Sequence, residues 1–187
     1  MANPKDIAVF VGSLRKESFT RKIALAMAKN APPTMKLSIV EVGHLGAYNQ
    51  DLDASPPADW TTLKERIQKA DGVLFATPEY NRSVPGFLKN MIDIASRPYG
   101  KSAWDGKPAA VVSVSPGAIG GFGANHHLRQ SLVFLNMPTM TQPEAYVGGA
   151  AQLVDANGDF AKSETKEFLG KFLAAFDRWI DRNTPAK

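Results

Sequence analysis

Ile7-Ala8-Val9-Phe10-Val11-Gly12-Ser13-Leu14-Arg15-Lys16-Glu17-Ser18-Phe19-Thr20 decides the fold of this chain. A short, continuous apolar run ending at a glycine is the mark of a strand buried on both faces, and hence of a central one. Beyond the polar loop, Phe19, Ile23 and Met27 fall at steps of four. They mark the buried stripe of a helix that stops before Pro32-Pro33. Strand, polar loop and helix in that order begin the alternation that produces a parallel sheet with helices on both faces.

The alternation continues to the end of the chain. Leu37–Val42 reads as a second strand, and residues 43–58, with Gly, Asn, Asp and a Pro pair, as a long surface connection of a length that tends to be functional. Trp60, Leu63, Ile67 and Ala70 return to helical spacing, and Gly72–Thr77 is a third buried strand ended by Pro78. Ser83 is expected to cap a third helix, with Pro85 in its first turn. Pro108–Ser115 gives a fourth strand, Ala124 to Leu135 a helix, and Met137–Tyr146 the fifth strand. Phe168, Phe172, Phe176, Trp179 and Ile180 form one stripe of a closing helix. With right-handed crossovers, the commonest winding of such a chain is a flavodoxin-like three-layer α/β/α sandwich whose five-stranded parallel sheet has the order 2-1-3-4-5. Residues 1–187 read as one such domain. Its ligand belongs beyond the strands' C-terminal ends, at the loops after strands one, three and four.

Bulk composition narrows the chemistry. The 187 residues are 44% hydrophobic and 21% charged, ordinary for a globular protein, and include no cysteine. Thiolate catalysis, disulfide scaffolds and Cys-ligated metals are excluded, so any redox chemistry needs a bound cofactor. No segment approaches the roughly 20 apolar residues of a membrane span, and no secretory signal is legible, so a cytoplasmic location without a membrane partner is expected. The net charge of +4 comes from scattered Lys and Arg, which suits small anionic ligands better than nucleic acid. Adjacent His126 and His127 would lie on different sides of their helix and His44 is isolated, so no metal site is expected.

In the first loop, the backbone N–H groups and the positive end of the helix converge on one point, where an anion belongs. Ser13, Ser18 and Thr20 add short hydroxyl donors, and Arg15 can clamp a phosphate. The loop lacks both the three-glycine dinucleotide fingerprint and the Gly-Lys-Ser/Thr of a P-loop. It reads as a nest for a terminal phosphate monoester, as in FMN, or more plainly as a solvated turn with Ser18 capping the helix. After the third strand, Pro78-Glu79-Tyr80-Asn81-Arg82-Ser83-Val84-Pro85 is a turn made rigid by prolines. Glu79, Tyr80 and Asn81 can offer amides to a flavin ring, or form an ordinary surface turn. Ser115-Pro116-Gly117-Ala118-Ile119-Gly120-Gly121 lets backbone approach a flat ligand, or serves as a flexible connector.

Gly12–Ser18, Thr77–Asn90 and the later Ser115–Gly121 and His127–Leu135 segments together resemble the NADPH-dependent FMN reductase family, within it the bacterial chromate and quinone reductases, over nearly the whole chain. The resemblance implies FMN as cofactor, held by Gly12, Ser13, Arg15, Ser18, Phe19, Thr20, Pro78, Glu79, Tyr80, Asn81, Ser83, Ser115, Gly117 and Gly120. Thr20 stands where many relatives have Asn, and its hydroxyl can still serve phosphate. NADH or NADPH would donate the electrons, and flavin N5 would carry the chemistry with no catalytic side chain. Tyr80, Arg82, Arg97 and Lys101 are the candidates to surround the substrate.

The third and fourth helices look apolar on more than one stripe, from Val84 to Ala95 and from Leu128 to Leu135, which predicts a subunit interface. The resemblance implies a homodimer, often a homotetramer, with Glu144 at the tetramer contact and His126 where a relative has an aromatic hydroxyl. The alternative function is a flavodoxin-like electron carrier that does not oxidise nicotinamide. Such carriers present an acidic docking face, and this chain is basic. A receiver domain of the same winding needs an acidic cluster at the strand ends, and none follows Val11 or Thr77.

Overall fold

Every strand pairing is parallel, as the apolar runs require. The computed structural model describes residues 3–184; positions 1–2 and 185–187 of the expected 1–187 domain lie outside the described residues. Strands β1 (Lys5–Val11), β2 (Met35–Ile39), β3 (Gly72–Thr77), β4 (Ala109–Val114) and β5 (Ala145–Val147) form one sheet in the order β2-β1-β3-β4-β5. Helices α1 (Phe19–Lys29), α2 (Ala58–Lys69), α3 (Gly86–Ser96), α4 (Phe122–Phe134) and α5 (Ser163–Asn183) alternate with the strands. The sandwich and its strand order are those expected.

Alternation along each strand divides the core. Ile7, Val9 and Val11 pack with Ile23 and Met27 of α1 and with Leu169, Phe172, Phe176 and Ile180 of α5. Ala8 and Phe10 face the opposite layer, with Trp60 and Ile67 of α2, Leu88 and Met91 of α3, and Leu128 and Leu132 of α4. Trp104, on the connection after α3, is fully buried there. Its ring stands edge-on to Phe10 with centroids 5.6 Å apart, and its indole N–H donates to the Ile92 carbonyl at 2.9 Å.

Three elements differ from expectation. β2 covers Met35–Ile39, not residues 37–42, because β1 pairs it in register from Lys5↔Met35 to Val9↔Ile39; Val42 then turns into the core beneath the long loop. β5 is confined to Ala145–Val147. Pro138 and Pro143 have no N–H for a ladder, so the expected stretch from Met137 survives only as a bridge between Ala109 and Thr139. α3 begins after Pro85 with no side-chain cap, and Ser83 is engaged elsewhere. No helix among the described residues is long and apolar enough to cross a membrane.

The double burial expected of α3 and α4 is narrower than the sequence suggests. Leu88, Met91, Ile92, Ile94, Ala95, Leu128 and Leu132 are all buried within the one chain, α3 being covered by α2 and Trp104. Val133 and Phe134 of α4 stay 75% and 79% exposed, next to Tyr99 at 82%.

Candidate functional site

β1, β3 and β4 end side by side, and the loops that leave them enclose a cleft of about 270 Å³. Ser13, Arg15, Ser18, Phe19, Thr20, Pro78, Glu79, Tyr80 and Ser115 line it, with Val114 and Pro116, which sequence reasoning had not singled out. A larger cleft of about 680 Å³ lies between α3 and α4 and is lined by Arg97, Tyr99 and Phe134 among others. Size favours the second, but the first lies where the winding reverses and where a helix N-terminus opens, and those features bear on chemistry.

The first loop is held tightly. Gly12 donates its N–H to the Ala76 carbonyl at 2.8 Å, and a Cβ there would come within 3.1 Å of Pro78 Cδ, so loops one and two touch at this glycine. Ser18 caps α1, its Oγ accepting from Arg21 N–H at 3.2 Å. Capping thus holds, and it leaves the other first-turn N–H groups of α1 without intrahelical partners at the cleft. Ser13 and Thr20 are buried beside them. The Arg15 guanidinium is exposed, lies 5.1 Å from the Phe19 ring centroid and donates to the Glu17 carbonyl at 2.7 Å.

In the second loop, Tyr80 N–H donates to the Ser83 carbonyl at 3.1 Å and Ser83 N–H returns the bond at 3.0 Å. The Tyr80 amide, expected to face a ring, is therefore consumed in the turn. The amides of Glu79 and Asn81 on either side have no protein partner among the described residues. Asn81 and Arg82 both have positive φ, 51° and 64°, so the turn is backbone-strained. Ser83 neither caps α3 nor lines the cleft; its Oγ lies 3.0 Å from Nδ1 of His127.

Loop three is anchored by its glycines more than it is loosened by them. Gly120 has φ +66°, and a Cβ there would lie 2.6 Å from the Tyr146 carbonyl carbon. Its role is to let the loop lie flat on β5, and it does not line the cleft. Gly117 spends its N–H on Ser115 Oγ at 3.1 Å. Arg97 and Lys101 follow the C-terminal end of α3, the end away from loop two. Eleven residues of helix separate them from the cleft, so one chain does not bring them to Tyr80.

Beyond the cleft lies a second polar group, in which the sequence reading had singled out only His126 and Glu144. Asn125 is fully buried and donates to Ser113 Oγ at 3.2 Å, while accepting from Arg129 Nε at 2.8 Å. Tyr146 OH lies 2.9 Å from His126 Nε2, and burial with the Glu144 carboxylate beside it pushes the phenol up to about 12. His126 and Glu144, expected at a contact between subunits, are 3.9 Å apart within the chain. Among the described residues there is no cluster of three or more His, Asp or Glu side chains able to hold a metal.

The sequence of residues 6–152 matches the family model described as NADPH-dependent FMN reductase. A quinone reductase of Pseudomonas putida is 58% identical over 184 residues, covering 98% of each chain. A 2-hydroxy-1,4-benzoquinone reductase of a Burkholderia species is 44% identical over 93% of this chain and 95% of its own. Among solved structures, the flavoenzyme NAD(P)H:(acceptor) oxidoreductase of Paracoccus denitrificans superposes with a TM-score of 0.91 at 43% identity, covering 96% of this chain and 98% of the other.

Proposed function

The chain belongs to the NADPH-dependent FMN reductase family, and from that premise we propose that it works as a single FMN-binding domain that passes electrons from NAD(P)H to quinones. It is an FMN-binding, NAD(P)H-dependent oxidoreductase. The observation that carries the site assignment is the convergence of three strand-end loops on one cleft at the N-terminus of α1.

The residues present fit FMN. The α1 N-terminus would hold its phosphate, where Ser13, Ser18 and Thr20 add hydroxyls and Arg15 adds charge. The unpartnered Glu79 and Asn81 amides suit the polar edge of the ring, with Tyr80 and Ser115 along its sides. When bound, FMN supplies an acceptor for hydride from the nicotinamide, and the overall reaction turns NAD(P)H, a quinone and a proton into NAD(P)⁺ and the hydroquinone. Residues around the open side of the cleft would orient the nicotinamide and the quinone in turn beside the bound FMN. Half-exposed Tyr80 offers a flat surface there, and Arg82 a charge that attracts nucleotide phosphates or an oxyanion such as chromate.

The exposed Tyr99, Val133 and Phe134 support a homodimer through the α3–α4 face. A two-fold packing with α3 antiparallel to its copy would carry the Arg97–Lys101 segment of one subunit to the loop end of the other, which is how those two residues would reach substrate. Ile119 and Phe122, 62% and 49% exposed, offer a second patch for a tetramer.

Anaerobic mixing of the flavin-loaded protein with NADH and with NADPH tests the function. Bleaching of the oxidised flavin absorbance is expected, followed by its return on adding a benzoquinone. A flavin spectrum that persists with both nucleotides refutes the reading. Sedimentation of wild type against Phe134→Lys tests the α3–α4 contact: wild type should run as a dimer or tetramer and the variant at half that mass.

A further inference from the structure

α4 starts without a cap of its own. Gly121 occupies the cap position in left-handed conformation with no side-chain hydrogen bond, and no acidic residue stands in the first turn. The missing partner arrives from another loop. The Glu79 carboxylate accepts the Ala124 N–H at 3.0 Å through Oε2, while Oε1 lies 3.9 Å from Arg82 Nη1. The Glu79 side chain is only 15% exposed, so this charge-assisted bond is sheltered from water. Its placement at the positive end of a helix adds a favourable dipole interaction.

Two further contacts press the same loop onto the same helix. At Gly123 a Cβ would come within 2.8 Å of the Arg82 carbonyl oxygen and 2.9 Å of Glu79 Oε2, so the first turn of α4 meets the loop backbone with no room for a side chain. One turn further along α4, His127 Nδ1 bonds Ser83 Oγ at 3.0 Å. Between these holds lie Asn81 and Arg82, successive residues with positive φ; asparagine adopts this conformation readily, but the arginine is strained there and needs the support of its surroundings. The two unpartnered amides, Glu79 and Asn81, take their directions from that turn. Loop three runs directly into α4, so the clasp also fixes the spacing of loops two and three.

We infer that the Glu79 side chain is a positioning residue: by capping α4, it holds the strained Tyr80–Ser83 turn so that the Glu79 and Asn81 amides are aimed before FMN arrives. The inference rests on the reading of these loops as the FMN site. Glu79→Gln keeps an accepting oxygen of the same reach and loses the charge; Glu79→Asp keeps the charge but falls one methylene short; Glu79→Ala loses both.

Two readouts on apo-protein decide it: FMN dissociation constants from quenching of flavin fluorescence, and amide hydrogen exchange of residues 79–84 without flavin. Glu79→Ala and Glu79→Asp are expected to weaken FMN binding about tenfold, with faster exchange in the loop, and Glu79→Gln by no more than about threefold. Gly123→Ala, which pushes the loop away while leaving Glu79 intact, is expected to act like Glu79→Ala and supplies the answer if that variant does not fold. Wild-type affinity and wild-type loop exchange in Glu79→Ala overturn the inference alone, as does a lower melting temperature without loss of FMN affinity. Wild-type protein that binds no FMN overturns the reading beneath it, and the inference with it.

Discussion

Gly120→Ala should destabilise the protein through a clash that can be separated from backbone strain. The residue has φ +66°, and its new Cβ would sit 2.6 Å from the Tyr146 carbonyl carbon, 2.9 Å from the Tyr146 oxygen and 2.9 Å from Val147 N. These are backbone atoms of β5 and cannot move aside as a flexible side chain would. Gly158→Ala is the control. It has φ +74° with nothing within 4 Å of a Cβ, in the turn after Asp155 and far from the cleft. Left-handed strain for an alanine costs roughly 1–2 kcal/mol, partly offset by about 0.4–1 kcal/mol of lost unfolded-state entropy, so the control should lose about 1 kcal/mol. Overpacking against fixed atoms adds about 1–3 kcal/mol at Gly120, for a total of about 3 kcal/mol. For a chain of this size the melting temperature should fall by roughly 2–4 °C in Gly158→Ala and roughly 6–12 °C in Gly120→Ala. The assay is thermal unfolding of apo-protein followed by circular dichroism, repeated with excess FMN. Wild type and Gly158→Ala should gain the same ligand-induced rise; Gly120→Ala should gain less, because its shifted loop adjoins the cleft. Equal melting shifts in the two variants would refute the argument that loop three is anchored by close approach to β5.

Ser13→Ala with Arg15→Ala should weaken FMN binding by about 10- to 100-fold, measured by flavin fluorescence; a double variant that purifies with full flavin shows the phosphate lies elsewhere. Asn125→Ala strips Ser113 Oγ and Arg129 Nε of partners next to the core and should cost roughly 2–4 kcal/mol in urea unfolding. The Asn30 amide and the Lys29 ammonium pull the Asp159 carboxyl from 3.8 down to about 2, so its contribution to stability is full above pH 3.8 and lost as pH falls through about 2. Asp159→Asn should therefore be less stable than wild type near neutrality and converge with it across that window, as read by unfolding midpoints at a series of pH values; a constant gap would contradict this.

Local pattern carried much of the fold. The continuous apolar runs at Ile7–Val11 and Gly72–Thr77 mark strands covered on both faces, and the stripe from Phe19 to Met27 follows from the 3.6-residue period of a helix. The winding rules then fixed the sheet order and placed the site at three loop ends. Prolines marked the ends of α1 and β3 correctly, but a strand was carried through Pro138 and Pro143, and β2 was set two residues late because its register depends on its partner β1.

What a sequence of local periods does not encode is which polar group meets which across the fold. Ser18 could be read as a cap because its partner, Arg21 N–H, is three residues away. Glu79 caps a helix 45 residues on, and Ser83 turns to His127 at a separation of 44. Neither contact exists until β3 and β4 lie side by side. The same holds for Arg97 and Lys101: their positive charge suggested the substrate face, but helical rise carries them to the far end of α3. The sequence determined by itself the elements, their order and the residues proposed for the phosphate end of the site. Only the tertiary structure decided which amides of the second loop remain free for the ring we propose there, and which contacts hold that loop, because that depends on contacts that close long loops.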